Sequence, residues 1–237
     1  MKVDWIQTPM YNTLMALAAG VGLILVVLLG RSLCLRRRFS SDGYALAFAA
    51  MGSILFLMGL HMSLTWPLAR IAPFDNIMFG EPSVAFGALL LVASLYLWRR
   101  GNTLQAGEGE AVVGRTDGDL HDRLAQVALP ISLFVAALGL ACFAIAAAGW
   151  RYTLWAAPPQ EPISGLFSNY PLLEATFIAL LYVLIGLGAV LLPVLLLSRQ
   201  RQVAVVIGVC WALSGLAWTV FGALNYFTHT GLIINTS

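Results

Sequence analysis

Six long stretches of this chain carry almost no charge, and the segments between them carry nearly all of it. A run of about 20 apolar residues matches the roughly 30 Å hydrocarbon core of a bilayer, and only helices or closed barrels can cross that core with their backbone groups paired. The expected architecture is therefore all-α, a bundle of six transmembrane helices in a single integral membrane domain, residues 1–237. The spans are expected at about 10–30, 44–66, 77–98, 125–150, 171–197 and 203–227. Mean hydropathy of +0.86, with 10% charged residues, lies far from soluble composition, in which about a quarter of residues are charged.

The basic residues give an orientation. Ten of the 13 Lys and Arg residues lie in the segments after the first, third and fifth spans, among them Arg31, Arg36 to Arg38, Arg99, Arg100, Arg199 and Arg201. The positive-inside rule puts these segments in the cytoplasm of a cell membrane and both termini outside. Trp5, Trp66, Trp150, Trp155, Tyr170 and Tyr226 then fall at outer span ends, as an interfacial aromatic belt. The first residues, MKVDWIQTPM, carry an acid and little positive charge, and no small-residue cleavage site separates the first span from Arg31. This pattern reads as an uncleaved anchor and not a signal peptide. A net charge of +2, with basic residues in short flanking clusters, gives no case for nucleic-acid binding. The segment Gly101 to Asp122, Gly-rich and acidic, reads as a mobile inner loop.

Small residues recur every seven positions in four spans. The sets are Ala45, Gly52 and Gly59; Gly80, Gly87 and Ser94; Ser132, Gly139 and Ala146; and Gly208, Gly215 and Gly222. Each set lines one face of its helix, where small side chains let backbones approach closely. A weak internal repeat also appears. Leu64 to Trp66 (LTW) and Thr153 to Trp155 (TLW) each precede an Asn-x4-Glu that opens the next span, Asn76 to Glu81 and Asn169 to Glu174. Duplicated helical hairpins would produce this pattern.

The outer pattern WPL…NIMFGEP, Trp66 to Leu68 and Asn76 to Pro82, resembles an uncharacterised family of polytopic membrane proteins from bacteria and archaea, a domain of unknown function. That resemblance implies a stand-alone multi-span fold. It carries over no activity, substrate or catalytic residue.

The residues that invite chemistry cluster at the outer face: His61, Trp66, Asn76, Glu81, Asn169 and Glu174. An acid near hydrocarbon is costly and by default a functional candidate. A structural reading competes, because Asn76 and Asn169 suit helix caps, Pro82 and Pro171 suit first turns, and an early acid complements the helix dipole. Met58, His61 and His229 are the weak metal candidates, with haem or copper at His61 a minor alternative to the expectation of no cofactor. Cys34, Cys142 and Cys210 form no ligand set, and no HExxH, GxSxG, P-loop or dinucleotide fingerprint occurs. The expectation is a non-enzymatic membrane protein, either an accessory subunit of other membrane proteins or a binder of an apolar, lipid-like or quinone-like ligand. A small-solute or ion transporter using Glu81 and Glu174 is the alternative, and an enzyme with His61 on a metal ranks below both.

Overall fold

The computed structural model describes residues 12–35, 37, 39–66, 72–106 and 118–236, with side chains described outside 100–106 and 118–125. Its described residues are all-helical. Six long helices, α1 (Asn12–Cys34), α2 (Ser41–Leu64), α3 (Glu81–Ala106), α4 (Gly118–Tyr152), α5 (Pro171–Ser198) and α6 (Arg201–Thr236), are joined by a π turn at Asn76–Gly80 and a 3-10 turn at Ser164–Phe167. All six are long and apolar enough to cross a membrane.

Local chemistry sets several of the ends. Ser40 caps α2, its hydroxyl accepting from the Gly43 N–H at 3.0 Å, and Pro171 opens α5, where its missing N–H costs nothing. Arg199 ends α5 in the left-handed conformation, φ 56°, and α6 starts two residues later. The helices are apolar on every side, and large side chains such as Leu46, Leu57, Leu133 and Leu216 stand exposed on the outside of the bundle. In water such a surface would aggregate; against lipid tails it costs nothing.

Lipid gives apolar faces no reason to leave it, so the helices are held by close backbone approach and by polar groups. The small-residue faces supply the approach. The α2 and α3 sets meet as an antiparallel zipper: a Cβ on Gly52 would lie 3.0 Å from the Gly87 carbonyl oxygen, one on Gly59 would lie 2.9 Å from that of Gly80, and the Ser94 hydroxyl donates to the Ala45 carbonyl at 2.7 Å. In α4 and α5, Gly139 and Gly186 face each other in the same way, each 2.8 Å from the other's carbonyl oxygen once a Cβ is added. Gly215 and Gly222 seat α6 on α1 against Gly20 and Thr13, whereas Gly208, the third member of that set, meets nothing within 4 Å.

Three tight pairs result, α2 with α3, α4 with α5 and α1 with α6, and the α1–α2 and α5–α6 contacts join them. Around the bundle the order is α3, α2, α1, α6, α5, α4. Among the described residues no comparably close packing joins α3 to α4. One end of the bundle, the loop end, carries Thr65, Trp66, residues 72–75 and the connection at 153–170, and the other, the arginine end, carries Arg31, Arg99, Arg199 and Arg201.

Several stretches depart from expectation. The segment Gly101 to Asp122, expected to be a mobile loop, is helical at 101–106 and 118–122, with 107–117 outside the described residues. The tail beyond Phe227 continues α6 to Thr236, because Leu232 is buried, Gly231 packs on Pro162, and the Asn235 amide donates to the Gln160 carbonyl at 2.8 Å. Trp155 leaves the expected aromatic belt. Its ring stacks on Tyr182 at 6.1 Å and 18° and presses on Gly149, while Trp66, Trp150, Tyr170 and Tyr226 stand exposed. Lys2, Trp5, Arg36, Arg38 and Arg70 lie outside the described residues.

Candidate functional site

Beside α3 and α4, where the described residues show no such close packing, lies a cavity of about 570 Å³, lined by α1, α3, α4, α5 and α6. This volume falls in the range of about 300–1,000 Å³ usual for small-molecule sites. Along α1 the cavity runs from Asn12 to Val26 and along α6 from Trp211 to Asn225, about 21 Å at 1.5 Å per residue. The cavity is thus a long slot whose length suits an extended alkyl chain. Ala141 and Ala144 line it and are also exposed, so it opens sideways between α3 and α4.

The walls are apolar for most of this length. Aromatic rings form the part nearest the loop end, where Phe79, Tyr182, Trp218 and Phe221 lie edge-to-face or tilted with centroids 5.8 to 6.5 Å apart. Tyr182 is held in this cluster by its hydroxyl, which donates to the Met78 carbonyl in the π turn. Lower down, the Trp211 indole N–H donates to the Ile185 carbonyl at 3.1 Å and its ring fills the space that Gly188 leaves by having no side chain. Among the described lining residues, the carboxylate, the amides and the aliphatic hydroxyl, those of Glu81, Asn12, Asn225 and Ser83, all belong to the loop end.

The sequence-predicted site residues do not form one cluster. Glu81 is exposed at the mouth of the cavity. Glu174 instead turns to the 153–170 connection, where its carboxylate accepts from the Ala157 N–H at 2.6 Å. Asn76 is 2% exposed and caps nothing on its own helix; its amide donates to the Met62 carbonyl and, at 3.0 Å, to that of Thr65, fastening the end of α2 to the start of α3. Asn169 is exposed, and the N-cap position of α5 is taken by Tyr170 without a side-chain bond. The two Asn-x4-Glu copies thus share a spacing and not a role.

His61 and Trp66 are exposed, and Met58 packs into the cluster of α1, α2 and α3. His229 faces Glu161 of the loop, Nε2 to Oε1 3.9 Å. Among the described residues no group of three or more His, Cys, Asp or Glu side chains is placed to hold a metal.

Buried polar groups near the loop end carried no signal that sequence reading could use. Asp75, just before the π turn, lies outside the apolar span, and burial pushes its carboxyl up to about 7. Tyr182 sits mid-span among aliphatic residues, and nothing in its neighbours announces a partner 104 residues away. Glu161, in the loop, is likewise raised by burial.

Six apolar helices of spanning length around a laterally open slot define a multi-pass helical membrane protein. Residues 9–231 match the family model described as Protein of unknown function (DUF981), and the chain belongs to that family. Neither a curated protein nor a solved structure matches it.

Proposed function

We propose that this protein binds a lipid-like molecule in the slot between α3 and α4, without chemistry of its own. The observation that carries this reading is the slot's form: about two-thirds of the bilayer core in length, apolar along its walls and polar at one end. The lateral opening admits a ligand from the membrane, where apolar molecules concentrate. The separation of Glu174 from the slot weighs against a transport site shared by the two acids.

In the same proposal, the Arg-rich end faces the cytoplasm of a cell membrane and the loop end, with the polar mouth, faces outside. A single Cys at Ser164, in a background lacking Cys34, Cys142 and Cys210, should react with a membrane-impermeant maleimide in intact cells. Reaction only after the cells are opened would reverse the orientation.

Binding itself is tested by gentle purification followed by native mass spectrometry. One lipid-mass adduct per chain is expected, surviving activation that strips loosely held detergent. A bare chain under every condition would contradict the proposal.

A further inference from the structure

Resting on that binding reading, the polar end of the slot also specifies the head of the ligand. Asn225, 4% exposed, lines this end. Glu81 adds a carboxylate at the mouth, and no Lys, Arg or His lines the slot among the described residues. A hydroxyl can donate to that carboxylate and accept from an amide, and hydrogen bonds to a charged group are the stronger ones. An anionic head would meet Glu81 and no cation, with the apolar wall raising the penalty.

We propose that the slot selects a lipid with a hydroxyl head, which donates to Glu81 and accepts from the Asn225 amide, and that it rejects carboxylate- and phosphate-headed chains of the same length. The chain lies along Trp218 and Trp211, giving a direct readout.

The test uses the full chain in detergent with exposed Trp66, Trp98 and Trp150, and Trp5, replaced by Phe, so that fluorescence reports mainly the buried tryptophans. Hexadecanol and hexadecanoate, each brominated at mid-chain, are titrated as quenchers at pH 8. The alcohol should quench with an affinity at least about tenfold above that of the carboxylate, as one charge-assisted hydrogen bond gained against one repulsion requires. Glu81→Lys, at an exposed position that leaves the packing intact, should reverse the order. Equal quenching by both chains would overturn the head-group inference while leaving the binding reading standing. Quenching by neither would overturn both. Selectivity unchanged in Glu81→Lys, in a variant with unaltered melting temperature, would also refute the assignment of the head to this end.

Discussion

At the scale of single residues, the groups with most influence on the site are partners that sequence spacing does not reveal. Asn76 was legible as a polar residue at a helix start, and that position suggests a cap. Its amide instead reaches back to α2, because the π turn at Asn76–Gly80 rotates it toward Met62 and Thr65. Thr153 and Trp155 adopt positive φ, 51° and 66°, at a cost of about 1–3 kcal/mol each, and this reversal brings the Trp155 ring back onto Gly149 and Tyr182. No local propensity announces such a turn.

Asp75 gives the pH prediction. Its folded value of about 7 stands above the usual 3.8, so between these values the folded chain holds a proton that the unfolded chain has released. Stability is therefore greatest below about pH 4 and falls as pH rises toward 7, by at most about 1.4 kcal/mol per pH unit from this group. Asp75→Asn keeps the shape and removes the titration. Thermal unfolding in detergent from pH 4.5 to 7.5 should show a shallower decline in the variant, with its melting point at pH 7.5 at or above that of the unaltered protein. Parallel curves would mean that Asp75 is not buried as described.

At the scale of elements, the small-residue sets were the most informative part of the sequence, since a seven-residue period places them on one helix face wherever that helix sits. Their partners were not legible, because spacing fixes a face and says nothing of what it meets. Contacts now separate members that look alike. A Cβ on Gly215 would lie 2.9 Å from the Gly20 carbonyl oxygen, whereas one on Gly208 would meet nothing within 4 Å. Gly215→Ala should force α1 and α6 apart and lower stability by about 1–3 kcal/mol. Gly208→Ala should be neutral or stabilising by up to about 1 kcal/mol, through helix propensity alone. Denaturation in detergent ranks them, and a larger loss from Gly208→Ala would show that α6 packs on α1 by a different face.

At the scale of the whole molecule, six spans were plain from the distribution of charge, as the bilayer imposes a length and an apolar composition that few other folds share. The slot was not plain. It arises from a gap, α3 and α4 failing to close the ring, and a gap leaves no pattern in either helix; exposed Ala141 and Ala144 look like ordinary lipid-facing residues until α3 is set beside them. If a lipid chain occupies that space, a side chain that fills the opening must displace it. Ala144→Trp offers the most direct check, since Ala144 is exposed at the opening and a Trp there fills the slot without disturbing the glycine contacts. Native mass spectrometry of the two proteins purified side by side should show the lipid adduct on the unaltered chain and its loss, with the fold intact by melting temperature, from Ala144→Trp. An adduct retained in equal amount by both would contradict the account, because the bound lipid would then lie outside the slot.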